Sequence, residues 1–302
     1  MLTRVATFST SSLILSAALN TQAKLATQQL EEASGKVSTD YGGLGSKAGQ
    51  VVSLQVAVSR SAAYADAATE ASGRATVMSD ALTSMSNVLT QFRTALTQAS
   101  DAAGDTSLLP DQAKSMLDEF TNQLNTQYQG RYLFSGSATQ DAPVDSSALS
   151  TGIDMTTADT SYYKGNSDIM SVRVSADQTV GYGVLASNPA FEQTIRVLNA
   201  FANMSSTDVT AASLTDASTQ VDTALDGVLA VQGQLAVQSG TLDRAANDQQ
   251  SFQDYAGSLV SNLSDVDVAS VTAQMSAYET QLQASYAAIS KISSLRLMDY
   301  LK

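Results

Sequence analysis

The 302-residue sequence has no histidine, no cysteine and no tryptophan, and only three prolines. Ser-His-Asp and Cys-His arrangements are therefore excluded, as are histidine and thiolate metal sites, which leaves carboxylate or Ser-Lys chemistry as the enzymatic options. Neither has a motif here, because the carboxylates are scattered. The expectation is a protein that is not an enzyme and uses no cofactor. Without cysteine there is no disulfide framework either, a condition that suits export of an unfolded, uncrosslinked chain. Positive charge is scarce. Sixteen Lys and Arg stand against 29 Asp and Glu, giving a net charge of -13 and an isoelectric point near 4.2. A nucleic-acid backbone or an anionic membrane surface would repel most of such a molecule, so neither is an expected partner. Long apolar runs are also missing. The best, Leu13-Ile14-Leu15, is broken by Ser16, Asn20 and Gln22, and no membrane insertion is expected. Around the single Arg4 nothing reads as a cleavable secretory signal, so departure from the cell would need a dedicated exporter.

What the chain does have is helical periodicity. Leu19, Ala23, Ala26, Leu30, Ala33 and Val37 are spaced four and three apart, a heptad seam of mostly small residues that needs a partner to be ordered. Tyr41-Gly42-Gly43-Leu44-Gly45-Ser46 interrupts it. From Ala48 the pattern resumes, and Met78, Leu82, Met85, Leu89, Phe92, Leu96, Ala99 and Ala103 alternate four and three throughout. A turn around Gly104 to Asp111 sends a helix back, with Ala113, Leu117, Phe120 and Leu124 on one face, and this helical arm is expected to run to Gln129. At Gly130 the rule changes. About 50 residues lose the helical period, and Val172, Val174 and Tyr182 alternate with polar neighbours as strands do.

Asn188-Pro189 opens a new helix carrying Phe191, Ile195, Leu198 and Ala202. A longer stripe follows, from Leu214 through Val228 and Leu235 to Leu242, Ala245, Phe252, Ala256 and Leu259, with Gln249 in one core slot. Ser264-Asp265-Val266-Asp267 reads as a capped junction. Beyond it Val268, Val271, Met275, Tyr278, Leu282, Ile289 and Ile292 form a final seam, for which the equally unpaired helix of residues 19–37 is the nearest cover. The fold expected is mainly α, an elongated coiled-coil-like helical rod formed by N- and C-terminal arms with a small antiparallel β insertion at the tip. Its parts are an N-terminal helical assembly segment over 1–43, an outgoing rod over 44–130, the β insertion over 131–188, a return rod over 189–264 and a C-terminal assembly segment over 265–302.

Several local patterns favour packing over chemistry. Gly45-Ser46-Lys47 lacks the spacing of a phosphate loop, because Lys47 follows serine and precedes Ala48. Met78 and Met85 sit at helical core spacing. Asp141, Asp145, Asp154 and Asp159 lack the spaced acidic loop and closing glutamate of a calcium site. No Lys or Arg occurs between Arg196 and Arg244, as on a solvated acidic face.

The central stretch Gly130-Arg131-Tyr132-Leu133-Phe134-Ser135-Gly136, followed by Thr139 and Ala142-Pro143, resembles the signature of the hook-filament junction proteins of the bacterial flagellum, the hook-associated protein 3 family of flagellin-like proteins. Asp265-Val266-Asp267, Leu282 to Tyr286 and Leu295-Arg296-Leu297 resemble that family's last helix. Tyr163 to Asn166 with Val172-Arg173-Val174 resemble its β domain. Arg4 to Phe8 and Ser34 to Val37 match more loosely. In flagellin-like families an Asp-Pro loop usually follows the first helix, whereas Asp40 here precedes Tyr41-Gly42-Gly43. The resemblance implies a structural subunit, held by an export chaperone, secreted unfolded through the flagellar type III channel and assembled outside the cell. It would form a homo-oligomeric ring between the hook-side junction protein and flagellin. Two other readings share these features: flagellin itself, the bulk filament subunit, and a surface binding module whose β tip recognises a ligand through Tyr132, Phe134, Tyr162, Tyr163 and Tyr182.

Overall fold

The computed structural model describes residues 2–101 and 105–300, with side chains for residue 9 and for residues 11–292 outside that gap. Ala103 and Gly104, and the side chains of Arg4 to Phe8 and Leu295 to Leu297, lie outside the described residues. The element order is α1 (Leu2–Ser34), a short 3-10 turn (Gly42–Lys47), α2 (Ala48–Ser100), α3 (Leu109–Leu124), β1 (Gln127–Tyr128), β2 (Arg131–Tyr132), β3 (Ser171–Arg173), β4 (Thr179–Gly181), α4 (Pro189–Asn203), α5 (Ala211–Ser264) and α6 (Val268–Tyr300). The fold is mainly α with a small antiparallel β insertion, as the periodicities predict. The chain divides into two compact units, one of residues 1–59 with 252–302 and one of residues 60–251.

In the unit of residues 60–251 the regular heptad positions of α2 become the core. Met78, Leu82, Met85, Leu89, Phe92 and Leu96 are buried, together with Leu117, Phe120 and Leu124 of α3 and Val221, Val228 and Leu235 of α5. α2 and α5 run antiparallel, since Ser61 pairs with Gln249, Ser72 with Asp243, Thr83 with Gln232 and Arg93 with Asp222. Helices α3 and α4 close the cluster through edge-to-face rings, Phe92 on Phe201 and Phe120 on Phe191. Such pairs add about 1 kcal/mol each beyond the area they bury. Asn188 caps α4 by accepting from the Ala190 amide at 3.0 Å, with Pro189 supplying a first-turn position that needs no donor.

The helical arm stops earlier than its pattern predicts. Helix α3 ends at Leu124 rather than Gln129, because the Thr126 carbonyl accepts from the Leu133 amide at 3.1 Å and draws the chain into a hairpin. Gln127 then pairs with Tyr132 and Tyr128 with Arg131. The two loop residues, Gln129 and Gly130, sit at φ 51° and 74°, the double positive φ that a tight two-residue hairpin demands.

The insertion is pinned to helices at two places. Val174, Val180 and Tyr182 pack on Ala68, Ala71, Leu242 and Ala245. Beside them Gln249 fills its core slot by donating to the Val174 carbonyl at 3.0 Å while accepting from the Ser61 hydroxyl at 2.8 Å. Elsewhere the buried Glu192 carboxylate accepts from the Asp159 amide at 2.9 Å and faces the Arg196 guanidinium at 3.3 Å, tying the loop of residues 149–160 to α4. Asp145, Asp154 and Asp159 each accept from a backbone amide two residues on, so these carboxylates shape local turns. Hydrogen bonds from the Ser147, Thr156 and Ser161 side chains, and then from the same residues' amides, hold all three below the usual carboxylate range, Asp154 at about 2.

In the unit of residues 1–59 with 252–302, α1 packs against α6. Phe252, expected in the α5 stripe, is 41% exposed. The inward line runs through buried Ala245, half-buried Gln249 and Gln253 and buried Ala256, spaced four, four and three, so the stripe slips by one residue and turns Phe252 outward.

Candidate assembly surface

Helices α1 and α6 are joined at one end by a clasp. Gly35, at φ 67°, terminates α1 with its amide donating to the Glu31 carbonyl at 2.8 Å. The chain then forms an isolated antiparallel bridge with the α5–α6 junction: the Val37 amide donates to the Ser264 carbonyl at 2.8 Å and the Val266 amide to the Gly35 carbonyl at 3.1 Å. The Lys36 ammonium pairs with Asp265, whose carboxylate also accepts from the Ser261 and Ser264 hydroxyls. The Lys36 hydrogen bond, more than any other contact, holds the Asp265 carboxyl below its ordinary range. Asp267 caps α6 by accepting from the Ala269 amide at 3.0 Å. A clasp joining the end of α1 to the start of α6 makes the pair antiparallel, and the Thr272 hydroxyl donates to Glu32 across it at 2.9 Å.

The α6 seam is where its spacing puts it. Val271 and Leu282 are buried, Met275, Tyr278, Ile289 and Ile292 are half-buried, and only Val268, at the first helical position, is exposed. The α1 seam is not. Leu19 and Leu30 are 57% and 55% exposed, and Ala23, Ala26, Ala33 and Val37 are exposed with them. The pairing expected between the terminal helices is present, but α1 uses another face, the line of Ile14, Ala18, Thr21, Leu25, Gln28 and Glu32. That line is also spaced four and three. Its signal was in the sequence, masked by threonine, glutamine and glutamate at positions that a hydrophobic template rejects.

Apolar exposure and charge divide between the units. Among the described residues, twelve of the seventeen exposed large apolar side chains lie in residues 1–59 and 252–302, including Val52, Val56, Tyr255 and Tyr286 besides those of α1. These residues hold 7 Lys and Arg against 8 Asp and Glu, a net charge of -1. Residues 60–251 hold 9 against 21, a net charge of -12. A surface that is both apolar and nearly neutral is one that loses little on being covered.

The signature residues have a different task. Gly130 and Arg131 are exposed at the hairpin, Tyr132 is half-buried, and Leu133, Phe134, Ser135 and Gly136 are buried. Phe134 meets Phe191 edge to face, and its carbonyl accepts from the Ala186 amide at 2.9 Å. The Ser135 carbonyl accepts from Asn166 at 3.1 Å. Gly136, at φ 70°, is crowded by the Asn166 and Asp168 carbonyls, which leave no room for a Cβ. The stretch is thus a hub between helical core and insertion. Tyr162 is also core, donating to the Ala186 carbonyl at 3.0 Å, and burial pushes its pKa up.

No curated protein matches the sequence. Among solved structures, a flagellar hook-associated protein of Vibrio parahaemolyticus is 18% identical, with a TM-score of 0.60, and covers 75% of this chain and 99% of its own. Flagellar hook-associated protein 3 of Legionella pneumophila is 14% identical, with a TM-score of 0.54, and covers 70% and 98%. At such identities these likenesses establish a shared fold. The family model for the bacterial flagellin N-terminal helical region matches residues 5–139, and that for the C-terminal helical region matches residues 218–301. Together they match well over half of the chain and span the paired helices of both units, so the chain belongs to the flagellin family.

Proposed function

We propose that the protein is a structural subunit of the bacterial flagellum that joins hook to filament. It assembles with copies of itself as a ring between the hook-side junction protein and flagellin. It travels there with an export chaperone and unfolded, through the flagellar exporter. The carrying observation is the nearly neutral, apolar outer surface of the terminal helical unit, which a protein working as a free monomer has no use for. Leu19, Ala23, Ala26 and Leu30 supply that surface directly, and the α6 seam from Val271 to Ile292 holds α1 in place to present it. The hairpin signature and the fold shared with hook-associated proteins of Vibrio and Legionella favour the junction over the bulk filament. A ligand-recognising tip loses support because Phe134, Tyr162 and Tyr182 are buried in the protein's own core.

Electron microscopy of a strain lacking this protein tests the reading. Hooks without filaments, with flagellin shed into the medium, are expected. Normal filaments would reject it, and loss of filament protein with no shed flagellin would favour the bulk-subunit alternative.

A further inference from the structure

We infer that neighbouring copies join head to side, the outer face of α1 in one copy seating on the outer face of α6 in the next. This rests on the reading of the protein as a self-assembling flagellar subunit. On α1 the exposed seam of Leu19, Ala23, Ala26 and Leu30 lies five residues on from the buried line of Ile14, Ala18, Thr21 and Leu25. Five helical steps turn by roughly 140° from one full turn, so α1 has two apolar faces pointing nearly opposite ways. Its own chain covers one. A helix with two seams is built to lie between two partners, and among the described residues nothing of this chain covers the second.

Helix α6 offers the matching surface. Its inner seam holds the large residues, and on the opposite side Ala273, Ala277, Thr280, Ala284 and Ala287 form a stripe at the same spacing, all exposed. Leucines on one face and alanines on the other interdigitate, whereas two leucine faces would crowd and two alanine faces would bury little. Charge agrees. On α1, Lys24, Glu31 and Glu32 all fall away from the outer face, and on α6 Glu279 sits toward the inner seam, leaving the alanine stripe uncharged until Lys291. Neither face has an ion to desolvate. The contact also extends the existing α1–α6 pairing into an alternating row of α1 and α6. Residues 60–251, at -12 per copy, oppose any arrangement that relies on their own surfaces instead.

A contact between two different faces propagates from copy to copy, whereas a contact of one face with itself stops at a dimer. The absence of cysteine makes the distinction readable. Leu30→Cys is combined in one chain with Ala273→Cys, Ala277→Cys or Ala284→Cys and expressed in place of the wild type, and isolated flagella are oxidised and run on a non-reducing gel. At least one double variant is expected to give a ladder of dimer, trimer and higher bands, with each single variant remaining a monomer. Leu30→Cys with the inward Leu282→Cys should give no ladder. Dimers from Leu30→Cys alone would overturn the inference in favour of an α1–α1 contact. So would the absence of any ladder from variants that still carry filaments. Filaments growing normally without the protein would instead overturn the flagellar reading itself.

Discussion

Gly130 and Gly136 bracket the signature and both sit at positive φ, yet a side chain at each meets different surroundings. At Gly130 an added Cβ has nothing within 4 Å, so Gly130→Ala carries backbone strain alone, about 1 kcal/mol. At Gly136 the same Cβ would approach two carbonyl oxygens at 2.8 and 2.9 Å, and backbone cannot swing aside as a side chain can. Gly136→Ala should cost roughly 3 kcal/mol or more, because the clash adds to the strain. Urea midpoints of the two variants would separate them; equal midpoints would mean that the Asn166–Asp168 loop yields. Asp265 supplies a pH dependence. Its carboxyl is held below the ordinary value in the fold, so its stabilisation is present above about pH 4 and is lost as pH falls through the lowered value. The pair is partly exposed and is worth less than about 1 kcal/mol. Acidification should therefore lower the amide protection factors, exchange rates taken relative to the unprotected rate at the same pH, at Val37 and Val266 before the core of residues 60–251 responds, and Asp265→Asn should remove that early step.

At the scale of elements, two buried leucines serve different structures. Leu282 is 7% exposed and packs in the α1–α6 pair, whereas Leu89 is fully buried among α2 to α5. Leu89→Asp should lower the thermal midpoint sharply, since an unpaired carboxylate in that core costs several kcal/mol. Leu282→Asp should free the terminal helices to protease while the midpoint of residues 60–251 holds. A common midpoint shift in both variants would show that the units unfold together. Leu30→Glu, on the exposed face, should change monomer stability by no more than about 0.5 kcal/mol and abolish assembly, as sedimentation would reveal. These contrasts also mark what the sequence could convey. Periodicity located α2, α4, α5 and α6 because their core faces are the only strongly apolar ones they have. It misassigned α1, which has two seams, the more apolar of which faces outward; composition ranks faces but does not say which partner takes which. The end of α3 was hidden for another reason. Asn125 and Thr126 are compatible with helix, and the chain leaves it only because a carbonyl is claimed by Leu133, seven residues beyond. Phe252 was lost to a one-residue slip in a long stripe.

For the whole molecule, the division of charge would set how the proposed assembly responds to salt. Bringing copies together gathers clusters of -12 that repel over roughly 10 Å at 0.1 M ionic strength. Association through the neutral helices should strengthen as salt rises toward that level, the opposite of a contact held by ion pairs, and sedimentation across a salt series would decide between them. The helix pairs are also nested along the sequence, α3–α4 enclosed by α2–α5 and that pair by α1–α6. Closing the outer pair bridges a loop of over 200 residues against about 60 for the inner one, an entropic difference of only about 1 kcal/mol. Order of removal is another matter. A pull on either end meets α1 or α6 first, so the pairs part in the order in which they are nested along the sequence. Drawn from either end, the chain would come away pair by pair like thread from a spool, as the proposed export through a narrow channel would require.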